Sequence, residues 1–150
     1  MRIGFDMDGV LTEVSVAEWL LTGELESEAM REVISEFLHD PKLKNHPSEF
    51  LHEEDKYIII TGRAKKFRKT TERWLRKYGI NPTCLFMTDV GVARDYPSID
   101  DFFDALALGK AQYIRSECVE VFFEDSPDVV LRLRKLCPKT KIIQVGGRLK

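Results

Sequence analysis

The sequence lacks the features that mark membrane, secreted and polyanion-binding proteins. No apolar run is long enough to cross a bilayer, and the amino terminus has no basic region followed by a long apolar segment and a small-residue cleavage site. There is no long block of one charge sign, and the formal net charge is only -2. We therefore expect a cytoplasmic protein with no membrane partner.

Cysteine is also scarce. The three cysteines, Cys84, Cys118 and Cys137, are an odd number, are widely spaced and include no CxxC pair. They lie in apolar stretches, so we expect buried free thiols. The chain of 150 residues has the length of a single domain, which buries roughly two thirds of the surface that its unfolded chain exposes.

Short apolar runs and amphipathic segments alternate along the chain. Five runs are predicted to be strands covered on both faces: RIGF before Asp6, KYIII before Thr61, TCLFM after Pro82, VEVFF before Glu124 and KIIQV before Gly146. Helical spacing predicts helices in KKFRKTTERWLRKYG, in residues 101–116 and in residues 127–137. The alternation predicts an α/β fold with a parallel sheet and right-handed crossovers.

Residues 15–53 interrupt this alternation. They hold two or three short helical patterns broken at Gly23 and Pro41, where an ordinary crossover has one helix. The insertion leaves the sheet at the carboxyl end of the first strand, which is the edge where open α/β sheets bind ligands. We therefore expect a small helical cap over the site, and an elongated crossover packed on one sheet face is the alternative.

Asp6 and Asp8 stand two residues apart at the end of the first strand, before Gly9. Side chains at i and i+2 of an extended strand point the same way, so both carboxylates are expected in one pocket. A divalent cation would relieve their repulsion, and Mg²⁺ prefers such oxygen ligands. An aspartate-rich turn that only caps the strand is the alternative.

Polar residues also follow other strands, and parallel strands bring their carboxyl ends to the same edge of the sheet. Thr61 and Gly62 offer a hydroxyl and an unobstructed N–H for a phosphoryl oxygen, and Lys110 can return a positive charge to that edge. The acids after the fourth strand, which can complete a metal site, are Glu124, Asp125 and Asp128. Each feature alone fits a turn, a helix cap or an exposed lysine. Their coincidence favours a catalytic site.

Four motifs make the sequence resemble the haloacid dehalogenase (HAD) superfamily of phosphohydrolases. They are FDMDGVLT, IIITGR, LGKAQYI and VFFEDSPD, in the family's order and roughly its spacing. The resemblance covers nearly the whole chain. It implies a Rossmann-like five-stranded sheet in the order 5-4-1-2-3, with residues 15–53 as a small cap. It also implies an Mg²⁺-dependent phosphomonoesterase.

The resemblance assigns catalytic roles to residues of this chain. Asp6 would be the nucleophile that forms an aspartyl-phosphate, and Asp8 would be the general acid and base. Thr61, the Gly62 amide and Lys110 would stabilise the charge on the transferring group. The metal ligands implied are Asp6, the backbone carbonyl of Asp8, and Asp125, with Glu124 as the alternative inner ligand and Asp128 acting through water.

The reaction is better determined than the substrate. TGR, KTTERWL and YGI resemble the branch of 5'-nucleotidases and polynucleotide kinase phosphatase domains, which implies a small phosphorylated metabolite such as a nucleotide. Arg63 is expected to meet a second phosphate or a ribose. The absence of a continuous basic stripe disfavours nucleic acid but leaves an oligonucleotide end open. Two other functions stay open: a catalytically silent phosphate- or nucleotide-binding module, and a phosphotransferase that uses the same aspartyl-phosphate.

Overall fold

The sheet has five parallel strands with the first strand at its centre. The computed structural model of the chain describes residues 1–13, 40–91 and 93–146. The strands are β1 (Arg2–Phe5), β2 (Lys56–Thr61), β3 (Leu85–Met87), β4 (Val121–Glu124) and β5 (Lys141–Gln144). Their order is β3-β2-β1-β4-β5, and every neighbouring pair is parallel. This is the predicted order counted from the other edge, so the predicted α/β fold is confirmed.

Helices connect the strands at the predicted places. Those in the described part of the chain are α1 (Arg68–Lys77), α2 (Ile99–Ser116) and α3 (Pro127–Leu136), with short 3-10 turns at Pro47–Glu49, Lys65–Phe67 and Ala93–Asp95. The second helix begins at Ile99 rather than 101 because the Ser98 hydroxyl caps it, accepting a hydrogen bond from the Asp101 amide. None of the described helices has the length and apolar character needed to cross a membrane.

Apolar side chains cover both faces of the sheet, as expected for parallel strands. On one face, Phe103 and Ile114 of α2 and Leu133 of α3 pack with Phe122 of β4. On the other face, α1 packs through Trp74 and Leu75 against a cluster that includes Phe5 and Ile59. The two layers hold the central strand β1 between them, so its carboxyl end is fixed in the middle of the domain.

Residues 40–53, the second part of the predicted insertion, pack against the sheet. The ring centre of Phe50 lies 6.0 Å from that of Phe5 and 5.0 Å from that of Phe123. The aromatic rings thus continue the apolar layer beyond α1. This part of the insertion covers a face of the sheet.

The same segment is joined to α1. The indole Nε1 of Trp74 donates a hydrogen bond of 2.7 Å to the carbonyl of Pro41. Residues 14–39 lie outside the described residues. The small cap over 15–53 therefore stays a prediction.

The expectation of three buried thiols is wrong for two of them. Cys137 is buried at the end of α3, whereas Cys84 and Cys118 are exposed, and all three are free. Cys84 immediately precedes the edge strand β3, and Cys118 has a left-handed φ of 52° in the turn after α2. An apolar sequence neighbourhood does not show which residues of an edge or a turn face solvent.

We expect Phe50→Ala to lower the free energy of unfolding by about 2 kcal/mol, because it removes a half-buried ring that packs on Phe5 and Phe123. Urea denaturation measures the change. Leu131→Ala is the control, since Leu131 is 60% exposed and its truncation should change stability by no more than about 0.5 kcal/mol. Equal effects of the two substitutions would show that residues 40–53 do not pack on the sheet in solution.

Candidate active site

The end of β1 places Asp6 and Asp8 at the middle of the carboxyl edge of the sheet. The Asp6 amide donates a hydrogen bond of 2.9 Å to the Phe123 carbonyl, so the chain still pairs with β4 there. The backbone then turns, and the Met7 carbonyl accepts hydrogen bonds from the amides of Val10, Leu11 and Thr12. Asp6 and Asp8 are both buried. Because the turn starts between them, their carboxylates have different partners.

Asp6 contacts the buried ammonium group of Lys110. Lys110 Nζ lies 3.0 Å from Asp6 Oδ1 and 2.6 Å from Glu124 Oε2. Lys110 is on α2 and is only 2% exposed. The other oxygen of Glu124, Oε1, accepts hydrogen bonds from the amides of Asp125 and Ser126 at 3.2 and 3.3 Å. Glu124 therefore holds the lysine beside Asp6.

Asp6, Glu124 and Asp125 form a group of three carboxylates, in which one oxygen of each lies within 4.8 Å of the others. Gly9 makes room for Asp125, because a β-carbon at Gly9 would lie 2.0 Å from Asp125 Oδ2, and its φ of 85° suits glycine. Three oxygen donors this close fit a hard divalent cation such as Mg²⁺. Glu124 is already bound by Lys110 and two amides, which favours Asp6 and Asp125 as ligands.

Burial and crowding change the proton affinities of these groups. Burial, and then the charge of Glu124, raises the pKa of Asp6 well above its ordinary value, while Lys110 opposes this. Burial and Glu124 also raise the pKa of Asp125 to about 7. Burial works against the charge of Glu124, but Lys110 and hydrogen bonds outweigh it and lower the pKa of Glu124. The cluster thus holds a proton near neutral pH that a bound cation would displace.

Asp8 is bound by the guanidinium group of Arg63. Arg63 Nε to Asp8 Oδ2 and Arg63 Nη2 to Asp8 Oδ1 are both 2.8 Å, which is the paired geometry of arginine with a carboxylate. The Thr12 hydroxyl also donates to Asp8 Oδ1 at 3.0 Å. Arg63 Nη1 donates to the Thr71 hydroxyl on α1 at 3.0 Å. Arg63 orients Asp8 in this structure, and its contact with a substrate stays a prediction.

Thr61 and Gly62 lie at the same edge, at the end of β2. Thr61 is buried, and its hydroxyl oxygen accepts a hydrogen bond of 3.2 Å from the Arg63 amide. Gly62 lies against α2, where a β-carbon would be 2.8 Å from Leu106 Cδ1. The structure therefore brings both residues to the strand next to the one that carries Asp6.

Three polar residues are placed differently from the sequence reasoning or were missed by it. The carboxylate of Asp128 lies 3.9 Å from Arg132, and Asp128 is not in the three-carboxylate group. Thr12 and Thr71, which hold the Asp8 ion pair, were not predicted. Thr12 belongs to the motif FDMDGVLT, but no spacing rule gives it a role. Thr71 lies at the apolar spacing of its helix, which indicates packing.

In metal-free buffer, we expect the free energy of unfolding to fall as the pH rises from about 5 to 7. The pKa of Asp125 is about 7 in the folded protein and roughly 3.9 in an unfolded chain, so the folded state binds more protons in this interval. The proton bound to Asp125 makes its full contribution to the free energy of unfolding below about pH 4, and this contribution is lost as the pH rises through 7. Glu124, with a lowered pKa, loses its contribution only as the pH falls below its ordinary value of 4.5.

Chemical denaturation at a series of pH values measures this slope. Asp125→Asn should make it shallower, because the titrating group is gone. Asp40→Asn is the matched control, since the Asp40 side chain is 66% exposed and should leave the slope unchanged. A wild-type stability that rises between pH 5 and 7 would contradict the assignment.

Comparisons with known proteins point to one fold. No family model matches the sequence, and no curated protein matches it. A chain of the Pnkp1/Rnl/Hen1 RNA repair complex is 23% identical with a TM-score of 0.60, and the match covers 96% of this chain and 42% of that one. A chain of another Pnkp1/Rnl/Hen1 complex structure is also 23% identical, with a TM-score of 0.61 and coverage of 96% and 45%. This chain thus spans less than half the length of either.

A third solved structure matches along most of both chains. The inactive mutant of the HAD domain of effector protein Lem4 from Legionella pneumophila is 15% identical with a TM-score of 0.51, and the match covers 99% of this chain and 87% of that one. Identities this low show the fold and not the activity. The chain has a HAD-like fold, which is the fold that the resemblance of its four motifs implies.

Proposed function

We propose that the protein is an Mg²⁺-dependent phosphomonoesterase that works through an aspartyl-phosphate on Asp6. The observation that supports this most strongly is the buried Lys110 ammonium, which contacts both Asp6 and Glu124 beside Asp125. A nucleophilic carboxylate, a fixed cation and a set of oxygen donors meet at the ligand-binding edge of an α/β sheet. The HAD fold supports phosphatase or phosphotransferase chemistry in general, and hydrolysis is our inference.

Asp6, Asp125 and the backbone carbonyl of Asp8 would hold the magnesium ion. When bound, Mg²⁺ supplies positive charge that offsets the repulsion between the nucleophile and the phosphoryl oxygens. Glu124 stays with Lys110 and keeps it directed at the nucleophile.

The first step transfers the phosphoryl group to the protein. A carboxylate oxygen of Asp6 attacks phosphorus in line, and the bond from phosphorus to the leaving oxygen breaks. Asp8, which is ion-paired with Arg63 in the free protein, takes up a proton from solvent in the substrate complex and gives it to the leaving oxygen. Lys110, the Thr61 hydroxyl and the Gly62 amide stabilise the negative charge on the transferring group.

The second step releases inorganic phosphate. Water attacks the phosphorus of the aspartyl-phosphate, Asp8 takes a proton from that water, and the bond between phosphorus and Asp6 breaks. Both carboxyl groups return to their starting forms. Asp8 must face the leaving oxygen and then the water, so its orientation matters in both steps, and Arg63 sets that orientation.

The proposed substrate is a small phosphorylated molecule, with a nucleotide as the preferred class. This rests on the resemblance of TGR, KTTERWL and YGI to the nucleotidase branch. One of the neighbours belongs to a complex named for RNA repair, so an oligonucleotide end is the alternative. Two of the exposed cations of α1 have acidic partners, Arg68 with Glu72 at 3.0 Å and Lys77 with Asp40 at 2.7 Å, so these two belong to a solvated, ion-paired face. A cytoplasmic location stays a prediction.

We expect Asp6→Asn to lower kcat for p-nitrophenyl phosphate by roughly three orders of magnitude or more, because an amide cannot form the acyl-phosphate. Removal of Mg²⁺ with a chelator should abolish the wild-type activity, and added Mg²⁺ should restore it. Asp40→Asn is the control for the loss of one surface carboxylate. Metal-independent turnover that survives Asp6→Asn would refute the proposal.

Product analysis separates the competing functions. With glycerol present as an acceptor, a phosphomonoesterase should yield mainly inorganic phosphate. Glycerol phosphate as the main product would identify a phosphotransferase. Saturable binding of phosphorylated ligands without any product would identify a silent binding module.

Thr71→Val should lower kcat about tenfold and leave KM within about twofold of the wild-type value. The substitution removes the hydroxyl that accepts a hydrogen bond from Arg63 Nη1, so Arg63 holds Asp8 less firmly. Steady-state kinetics with p-nitrophenyl phosphate and with nucleotides measures both constants. Thr71→Ser, which keeps the hydroxyl, should retain most of the activity. A raised KM with unchanged kcat would instead show that Arg63 binds the substrate.

A further inference from the structure

Lys44 is fixed to the loop that carries the two aspartates. Its amide donates a hydrogen bond of 2.7 Å to the Leu11 carbonyl, and its Nζ donates one of 3.1 Å to the Gly9 carbonyl. The next residue, Asn45, donates from Nδ2 to the Val10 carbonyl at 2.8 Å. Backbone and side-chain contacts therefore hold this lysine against residues 9–11.

The ammonium group of Lys44 lies near the three-carboxylate group. Gly9 lies between Lys44 and Asp125: its carbonyl accepts the hydrogen bond from Lys44 Nζ, and its α-carbon faces the Asp125 carboxylate. The bonds and contacts between these atoms place Lys44 Nζ within roughly 9 Å of Asp125 Oδ2. Gly146, after β5, leaves the space that Nζ occupies, since a β-carbon there would lie 2.3 Å from it.

Lys44 differs from the other cations near the site. Lys110 contacts Asp6 and Glu124, and Arg63 contacts Asp8. Lys44 is exposed, and within residues 1–13, 40–91 and 93–146 no carboxylate lies within ion-pair distance of it. An ammonium group has three donors, of which the Gly9 carbonyl takes one. Two donors of Lys44 can therefore meet a ligand at the rim of the site.

The site itself is rich in negative charge. Among the residues that the structure describes, two buried cations lie in it, Lys110 and Arg63, and the acids around them are Asp6, Asp8, Glu124 and Asp125. A substrate that carries a second phosphate would bring further negative charge to this edge. A cation at the rim would offset that repulsion.

We propose that Lys44 binds a second phosphate group of the substrate, one nucleoside unit away from the phosphate that is cleaved. This rests on the proposed phosphatase function and names its substrate class: phosphomonoesters with an additional phosphate or phosphodiester. Lysine binds phosphate as a point charge with several donors. A free second phosphate and a diester of an oligonucleotide share this chemistry.

The test compares substrates that differ by one phosphate. Adenosine 3',5'-bisphosphate carries the second group, whereas adenosine 3'-monophosphate, adenosine 5'-monophosphate and p-nitrophenyl phosphate lack it. Lys44→Met removes the charge and keeps an unbranched side chain. Lys56→Met is the matched control, because Lys56 is an exposed lysine at the first residue of β2, on the opposite edge of the sheet.

Lys44→Met should lower kcat/KM for the bisphosphate about tenfold and change it less than twofold for the three monophosphates. Lys56→Met should change none of them by more than twofold. Gly146→Ala, which places a β-carbon against Lys44 Nζ, should reproduce the selective loss. Equal loss on all substrates, or no loss on the bisphosphate, would overturn the proposal.

Two further arms separate this proposal from the phosphatase itself. Calorimetry on Asp6→Asn measures binding without turnover: the bisphosphate should bind about tenfold more tightly than either adenosine monophosphate, and adding Lys44→Met should remove the difference. If the bisphosphate and the monophosphates bind with equal affinity, the role of Lys44 is overturned even if hydrolysis is observed. If no substrate is hydrolysed but the bisphosphate binds more tightly in a way that depends on Lys44, only the phosphatase function is overturned. If Lys44→Met lowers kcat/KM for a 3'-phosphorylated tetranucleotide by the same factor as for the bisphosphate, a phosphodiester can serve as the second group.

Discussion

The site depends on one buried cation. Lys110 places its ammonium between Asp6 and Glu124, and without it three carboxylates would lie within 4.8 Å of one another with no positive charge among them. Burying an ammonium group is costly unless carboxylates and hydrogen bonds surround it. Gly109 permits this position, because a β-carbon there would lie 3.1 Å from Thr88 Cβ, so α2 passes close to the end of β3 just before the lysine.

The charges of the site divide into two separate groups. Asp8 and Arg63 form one pair, oriented by Thr12 and Thr71, and Lys110 joins Asp6 and Glu124 in the other. Asp125 is the acid whose charge neither cation offsets in full, and its pKa is raised to about 7. A divalent cation bound between Asp6 and Asp125 would displace this proton and make Asp125 a ligand.

Most of the fold follows from patterns that the sequence displays directly. Unbroken apolar runs predicted all five strands, since strands covered on both faces need apolar residues throughout. The parallel arrangement then predicted that residues after β1, β2 and β4 share one edge, and Asp6, Thr61 and Glu124 do lie there. Chain order and periodicity are sufficient for such statements because the sheet edge is set by topology.

Side-chain directions within that edge could not be predicted in the same way. The period of an extended strand predicts that Asp6 and Asp8 share one pocket, but it does not indicate that their carboxylates have different partners, Lys110 for Asp6 and Arg63 for Asp8. Thr71 lies at an apolar position in the helical spacing of α1, which indicates packing in the core. Its hydroxyl instead meets a guanidinium group that arrives from another loop. Long-range pairings of this kind leave no local signal.

Residues 40–53 show how one segment can serve both the core and the site. Phe50 covers the sheet face beside β1, and six residues earlier the same segment carries Lys44 across the aspartate loop. Because the apolar contacts fix the segment on the sheet, Lys44 is held against the loop that follows Asp6, although Lys44 itself lies outside any helix or strand. Residues outside the four motifs, such as Lys44 at the rim, can change which ligand fits without altering the groups at the centre of the site.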